Sequence, residues 1–182
     1  MVKRIAWGLT GAGYFLSETI EIMKGVANRT DIEITIFVSK AAVNVLKRYG
    51  LWEELEKVSS KILVEKDPNT PFIVGPIQRG KYDFLLIAPA TANTVAKIVA
   101  GIADSLVTNS VSEAIKGGVT AHVLPSDQDR PSVLTTLPSG EKIELTMRKV
   151  DRENFRKLKL MEGIVVLEKP RDIVRALGGL SP

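Results

Sequence analysis

Short apolar runs alternate with amphipathic segments along most of the chain. The apolar runs end abruptly in small or polar residues, which is typical of parallel strands that are buried on both faces. The pattern predicts strands at residues 5–9, 32–38, 61–64, 82–88, 119–124 and 164–167, and helices at 14–26, 40–49, 51–58, 91–101, 105–116, 152–160 and 170–177. Regular alternation of strand and helix predicts an α/β fold with a Rossmann-like, doubly wound parallel sheet.

Two stretches interrupt this alternation. Residues 67–76 contain three prolines and a glycine, which predicts a loop without regular structure. Residues 133–137 and 142–147 flank Pro138-Ser139-Gly140, which predicts an antiparallel hairpin. We expect a single domain over residues 1–182, with a hairpin arm at about 133–147 that reaches over a cofactor or a neighbouring subunit.

Composition excludes several classes of function. The formal charge of +4 is mild and its lysines and arginines are interspersed with acids, unlike the basic stripe of a nucleic-acid-binding protein. The absence of cysteine excludes disulfides, thiolate nucleophiles and iron–sulfur clusters, and the single histidine excludes a histidine-cluster metal site. No signal-peptide pattern and no apolar stretch of roughly 20 residues is found. We therefore expect a cytoplasmic protein without membrane or nucleic-acid partners and without a metal.

Two predicted strand ends carry the candidate chemistry. The first strand runs into Thr10, Gly11, Ala12 and Gly13, and the strand at 82–88 runs into Pro89 and the segment 90–94. Such small, donor-rich strand ends, each opening a helix, predict a phosphate-bearing cofactor between them.

A dinucleotide is disfavoured because Leu16 replaces the third glycine of its fingerprint and Val38-Ser39-Lys40 supplies no acid for a ribose. A mononucleotide phosphate fits better, with the Ser39 hydroxyl as a second contact. A glycine turn that only packs a strand against a helix stays open as an alternative, as do plain capping roles for Thr91 and Asn93.

The segment 88–108 resembles a known family. Ala88-Pro89-Ala90-Thr91-Ala92-Asn93-Thr94 is followed in register by Lys97-Ile98, Gly101, Asp104, Leu106 and Thr108. This motif, together with Gly8-Leu9-Thr10-Gly11-Ala12, resembles the flavoprotein family of homo-oligomeric flavin-containing decarboxylases. The chain length and Met161-Glu162-Gly163-Ile164 are most similar to its archaeal branch, the archaeoflavoprotein or dihydromethanopterin reductase-like proteins.

The resemblance implies FMN as the cofactor. It places the phosphate near residues 10–13 and Ser39, and it places the isoalloxazine ring against residues 89–94. Asn109 and Pro125 also fall at positions that the resemblance assigns to the cofactor site. The full set of implied cofactor-binding residues is Thr10, Gly11, Ala12, Gly13, Ser39, Pro89, Ala90, Thr91, Ala92, Asn93, Thr94, Asn109 and Pro125.

Departures from the family pattern bear on the reaction. Gly75 stands where the cysteine decarboxylases of this family keep a catalytic histidine, fourteen positions before Pro89. Where those enzymes have Pro-Ala-Met-Asn, with the asparagine on the substrate carboxylate, this chain has Pro125-Ser126-Asp127-Gln128. An anionic Asp127 would repel a substrate carboxylate, which argues against decarboxylation of that kind.

The leading hypothesis is an FMN oxidoreductase that takes electrons from a ferredoxin-type carrier and reduces a small molecule, by resemblance a pterin. The alternatives are a flavin-dependent decarboxylase or flavin prenyltransferase on the same scaffold, and a non-catalytic flavin-binding protein. We expect a homotrimer or an assembly of trimers, since relatives bind flavin between subunits and the segment 91–101 is rich in small residues. His122 is the only imidazole, and its apolar strand favours a structural role. Arg130, Lys149 and Arg152 are candidates for an electropositive rim, and no catalytic residue is assigned.

Overall fold

A six-stranded parallel sheet forms the centre of the protein in a computed structural model that describes residues 2–59 and 61–178. The sheet has the order β3-β2-β1-β4-β5-β8, and every neighbouring pair is parallel. Its strands are β1 (Lys3–Leu9), β2 (Ile32–Val38), β3 (Ile62–Val64), β4 (Phe84–Ala90), β5 (Ala121–Pro125) and β8 (Ile164–Val166). The predicted doubly wound α/β fold is confirmed.

Helices cover both faces of this sheet. They are α1 (Leu16–Ala27), α2 (Lys40–Arg48), α3 (Trp52–Val58), α4 (Val74–Gln78), α5 (Ala92–Val99), α6 (Leu106–Lys116), α7 (Lys149–Leu158) and α8 (Arg171–Ala176). Helices α1, α2, α3 and α8 bury apolar side chains in one core with Ile5, Trp7 and Leu9. Helices α4, α5, α6 and α7 share the second core with Ala6, Leu85 and Ile87. Because successive side chains of a strand point to opposite faces, the two cores use alternate residues of the same strands.

The chain changes direction across the sheet between β1 and β4. From β1 it builds outward through β2 and β3, and it then returns to β4 on the other side of β1. Adjacent crossover connections on opposite faces leave a crevice at the carboxyl ends of these two strands, where doubly wound proteins bind ligands.

Several predicted boundaries differ from the structure, and three of the differences have a clear physical cause. The loop expected over residues 67–76 contains the start of α4, because Val74 and Ile77 are buried in the second core. The first helix begins at Leu16 because Phe15 has a left-handed backbone (φ 67°) that cannot belong to an α-helix. Helix α7 begins at Lys149 because the buried Asp151 pairs with Arg148 just before the first turn.

The predicted hairpin forms a separate two-stranded sheet. Strands β6 (Ser132–Thr136) and β7 (Lys142–Thr146) pair in antiparallel register around the turn. That residues 1–182 form one domain stays a prediction, because residues 1, 60 and 179–182 lie outside the described part. None of the described helices combines the length and apolar character that a membrane crossing requires.

Candidate functional site

A cleft of about 340 Å³ lies at the carboxyl ends of β1 and β4, beneath the hairpin. Its walls come from the loop after β1, the start of α5, the segment after β5 and the inner face of the hairpin. The lining residues are Gly11, Ala12, Gly13, Tyr14, Tyr49, Thr91, Ala92, Asn93, Ser126, Asp127, Val133, Thr135, Leu137, Leu145 and Met147. The cleft is therefore built where the topology predicts a ligand site, and its volume lies within the range of small-molecule pockets.

Thr10 ties the two strand ends together under the cleft. Its hydroxyl donates to the Pro89 carbonyl (2.8 Å) and accepts from the Thr91 N–H (2.9 Å), while the Thr10 N–H donates to the same carbonyl (3.3 Å). Thr10 is only 3% exposed. Both hydrogen bonds of the Thr10 hydroxyl are thus made to the backbone at the end of β4. Its role is to position Thr91 and helix α5.

The loop after Thr10 presents backbone N–H groups. Within the described residues, the N–H groups of Gly11, Ala12 and Gly13 have no hydrogen-bond acceptor in the protein. Ala12 is nevertheless buried, and buried N–H groups are almost always paired. Consecutive unpaired N–H groups are a recognised feature of anion-binding loops, so this loop has the donor set that a phosphate requires.

Close packing explains why this loop needs glycine. A Cβ on Gly11 would lie 3.0 Å from the Ala41 Cβ of α2, and a Cβ on Gly13 would collide with the Tyr49 hydroxyl. The two glycines therefore let the loop approach α2 closely. The packing role that the sequence left open for these glycines is therefore present, and the unpaired N–H groups of the same loop stay a candidate binding site.

The start of α5 is the second source of donors. Thr91 caps this helix by accepting from the Thr94 N–H (3.2 Å), and its hydroxyl also contacts the Thr94 hydroxyl (3.0 Å). The N–H groups of Ala92 and Asn93 belong to the first turn, which has no intrahelical acceptors. The Asn93 side chain is exposed and borders the cleft. Thr91 is therefore a helix cap, as the alternative reading held, and it also lines the site.

Glu65 has a role that the sequence did not reveal, because it links the helices α2 and α6. Its carboxylate accepts from the Lys40 N–H of α2 (3.0 Å) and from the Leu106 N–H of α6 (2.7 Å). One negative charge thus caps two helix N-termini, where the helix dipole favours an anion. No spacing in the sequence joins residues that are 41 positions apart, so only the fold reveals this link.

Several predicted site residues lie behind or beside the cleft instead of lining it. Pro89, Ala90, Thr94 and Pro125 are buried under its floor. Ser39 caps α2 by accepting from the Ala42 N–H (3.1 Å), close to the loop that contains Gly11. Asn109 lies on α6, where its amide donates to the Pro68 carbonyl (3.0 Å) and to Asn69 (3.1 Å). The structure does not bring Asn109 to the cleft, and its assignment to the cofactor stays a prediction.

The hairpin supplies the roof of the cleft. Val133 and Thr135 of β6 and Leu137 just after it alternate along the chain and face the cleft together with Leu145 and Met147. The Tyr49 hydroxyl donates to the Thr136 carbonyl (3.0 Å) and so joins the hairpin to the end of α2. A second hollow of about 330 Å³ continues the groove on the other side of Tyr49. Period-two alternation in this segment is the signal that identifies which hairpin residues face inward.

Asp127 is the acidic residue of the cleft. It follows β5, and its carboxylate accepts from the Ser126 hydroxyl (2.6 Å). The structure thus puts an acid in the cleft, beside the start of α5, as the sequence comparison with the decarboxylases anticipated.

The remaining candidates lie elsewhere. His122 sits near the start of β5, stacked on Phe84 at 3.7 Å, and not at the carboxyl edge. Burial lowers the pKa of His122 to about 4, so its imidazole is neutral near pH 7. Arg152 binds Asp129 (3.0 Å), and Lys149 is an exposed residue paired with Glu153 (3.7 Å). Of the predicted rim, Arg130 alone lines a described cavity that borders the cleft.

The sequence of this chain is similar to those of several known proteins. The model of the Flavoprotein family matches residues 2–178. A dihydromethanopterin reductase (acceptor) of Methanocaldococcus jannaschii is 32% identical, with 94% of each chain covered. An uncharacterised protein of the same organism is 49% identical over 96% of this chain and 94% of its own.

Solved structures agree with these relatives. The FMN complex of DmrB from Burkholderia xenovorans, described as a cubic protein cage for redox transfer, superposes with a TM-score of 0.81 at 31% identity, covering 97% of this chain and 93% of that chain. A dodecameric FMN-dependent UbiX-like decarboxylase from Escherichia coli O157:H7 has a TM-score of 0.72 at 16% identity, with 98% and 96% covered. This second likeness shows the shared fold alone.

Proposed function

The chain belongs to the Flavoprotein family, and from that premise we propose that it binds FMN in the hairpin-covered cleft and works as an FMN-dependent oxidoreductase. The observation that carries the proposal is the convergence of unpaired N–H groups from the loop 11–13 with the open start of α5 at one crevice. The relatives named as dihydromethanopterin reductases and the FMN-bound DmrB support the same activity.

The residues present fit FMN. The N–H groups of Gly11, Ala12 and Gly13 would hold the phosphate. The small side chain of Ala92 leaves room for a flat ring near the end of β4, and Asn93 offers both a donor and an acceptor to its polar edge. The apolar side chains of Val133 and Met147 would exclude water from above.

When bound, FMN supplies the redox chemistry, because its ring accepts electrons singly or in pairs and passes them on as a hydride. We propose a pterin-type acceptor, in which a C=N bond gains hydride at carbon and a proton at nitrogen. This chain has no cysteine for an iron–sulfur cluster, so the two electrons would come from a separate carrier of the ferredoxin type. The protein residues bind and orient the two partners.

The decarboxylase alternative is less well supported by this cleft. Gly75, at the position of the family's catalytic histidine, is covered by Phe72, whose ring carbon would lie 2.5 Å from a Cβ there. Asp127 borders the cleft at the segment that holds a substrate carboxylate in those enzymes. The Asp127 carboxylate would repel a substrate carboxylate bound at that segment. Structures with decarboxylase activity share the fold with this chain, and that is the extent of their support.

Assembly and location complete the proposal. We propose a homotrimer or an assembly of trimers, in line with the cubic cage described for DmrB. Exposed apolar side chains such as Phe72 (70%) and Ile102 (46%) are suited to contacts between subunits. We also propose a cytoplasmic location and an archaeal source, and the source is in line with the Methanocaldococcus and Methanosarcina relatives.

A single experiment tests the reaction. FMN-loaded protein is reduced anaerobically with a ferredoxin, and a dihydropterin is then added while flavin absorbance near the visible maximum is followed. We expect bleaching by the carrier and return of the yellow colour with the pterin. If the flavin binds but the pterin never reoxidises it, the protein binds flavin and lacks the proposed activity. Release of carbon dioxide from a peptide with C-terminal cysteine would favour the decarboxylase instead.

A further inference from the structure

A second, basic cleft of about 440 Å³ adjoins the first one. Its walls include Phe15, Glu18, Gln128, Arg130, Lys169 and Arg171, which come from the start of α1, the segment after β5 and the start of α8. Tyr14 lines both clefts and is therefore their shared wall. A ligand in the first cleft that is long enough to pass Tyr14 would therefore extend into the second cleft.

Arg130 is the recessed cation of this basic cleft. Its guanidinium lies 5.2 Å from the centre of the Tyr14 ring and 5.9 Å from that of Phe15. Gln128 accepts from Nη2 (3.1 Å), the Tyr14 hydroxyl accepts weakly from Nη1 (3.4 Å), and the buried Nε–H has no partner among the described residues. The described part of the chain places no carboxylate in an ion pair with Arg130, although arginine has five N–H groups to satisfy.

Lys169 and Arg171 add two exposed cations at the mouth. Both flank the start of α8, where the helix dipole disfavours positive charge, so their position does not serve the helix. Neither side chain is in an ion pair with any residue that the structure describes. Two acids line the cleft, and one of them, Glu168, is paired with Lys159 (2.7 Å). The lining therefore has an excess of positive charge, with three cations and the single carboxylate of Glu18.

The wall between the clefts is held in an unusual conformation. Phe15 has a left-handed backbone, which is rare for an aromatic residue, and its ring packs on Tyr14 at 4.0 Å between centres. Such a conformation persists only where the surrounding contacts impose it, and it concentrates at functional sites. Both rings lie beside the Arg130 guanidinium, which is therefore held at the boundary of the two clefts.

We propose that the basic cleft binds an anionic tail, a carboxylate or a phosphate, of the acceptor whose ring lies in the first cleft. The inference rests on the proposed oxidoreductase function and adds a selectivity to it: the preferred acceptor is elongated, with a flat head and an acidic end. Arg130 supplies the recessed contact, and Lys169 and Arg171 raise the local concentration of anions. A concave cleft with a recessed guanidinium suits a small anion better than the flat acidic surface of a protein.

Two acceptors with the same ring test the inference. Turnover of FMN-loaded protein is compared with 7,8-dihydropterin, which has no tail, and with 7,8-dihydrofolate, which ends in two carboxylates. We expect a KM for the tailed acceptor that is about tenfold lower. The double variant Lys169→Gln/Arg171→Gln should raise that KM about fivefold and leave the tailless acceptor unchanged. Arg79→Gln removes the same kind of exposed charge far from the cleft and serves as the control.

Calorimetry with inorganic pyrophosphate gives a readout that needs no turnover. Pyrophosphate should bind the FMN-loaded protein, and binding should weaken in Arg130→Gln and in the double variant but not in Arg79→Gln. Equal KM values for the two acceptors, with no pyrophosphate binding, would overturn the inference. A slower rate in the variants only when ferredoxin is the donor would also overturn it, by assigning the charges to an acidic protein. If neither acceptor is reduced, the proposed function fails, and pyrophosphate binding alone decides whether the anion site exists.

Discussion

Replacing Thr10 by valine tests how the two strand ends are held together. Valine has nearly the shape of threonine, and Thr10 is buried, so the change removes a hydroxyl without opening a cavity. Two hydrogen bonds disappear, the one to the Pro89 carbonyl and the one from the Thr91 N–H. Pro89 retains a bond from the Thr10 N–H, whereas the Thr91 N–H is left without its acceptor.

The magnitude follows from this asymmetry. A lost hydrogen bond whose partner stays satisfied costs about 1 kcal/mol, and an orphaned, partly buried N–H adds a desolvation penalty of similar size. We expect Thr10→Val to lower the free energy of unfolding by about 2 kcal/mol. For a chain of this size, that corresponds to a fall in Tm of about 4–8 °C. Because Thr91 opens α5, FMN affinity should fall as well.

Thr19 provides the matched control. It is fully buried in α1, and its hydroxyl has no partner among the described residues. Thr19→Val therefore removes a polar group that gains nothing from the fold, and stability should be unchanged or higher. Urea unfolding at a fixed protomer concentration, followed by far-ultraviolet circular dichroism, compares the two variants. Equal destabilisation by both would refute the role given to the Thr10 hydroxyl.

The other predictions concern single residues. Gly13→Ala should push Tyr49 away and raise the Kd for FMN about tenfold in a fluorescence titration, whereas Gly25→Ala, with open space around it, should stabilise α1 by about 0.5–1 kcal/mol. The one histidine, His122, gives a unique NMR signal that should titrate near pH 4. Because its folded pKa is lowered, stability should fall as pH drops from 6.5 toward 4, by less than about 1.4 kcal/mol per pH unit, and His122→Phe should remove this slope. A pKa near 6.5 would contradict the burial argument. Glu65→Gln should cost about 1–2 kcal/mol in urea unfolding by weakening two helix caps, and no change would mean that the caps contribute little.

The main features of the fold are predictable because they follow local rules. Apolar runs that end in small residues locate β1 and β4, and parallel strands must then carry their carboxyl ends to one edge. Helix α4 was missed because Gly75 and Pro76 suggest a loop, while the burial of Val74 and Ile77 against a distant helix decides the outcome. Tertiary packing here overrides local propensity.

The candidate site is predictable only in part for the same reason. Segments 11–13 and 91–93 line the cleft because short-range spacing fixes their place at strand ends. The capping role of Glu65 depends on two helices, α2 and α6, that meet at its side chain. The contact of Arg130 with Tyr14 joins residues 116 positions apart. Long-range contacts of single side chains leave no periodic trace in a sequence, so the basic cleft emerges only from the folded chain.

Titration of the purified protein with FMN and with riboflavin tests the central claim most directly, since the two ligands share a ring and differ by the phosphate. If the N–H groups of the loop 11–13 hold that phosphate, several charge-assisted bonds should make FMN bind about 100-fold tighter than riboflavin, as measured by quenching of flavin fluorescence. Equal affinity for the two flavins, or no quenching by either, would contradict the account.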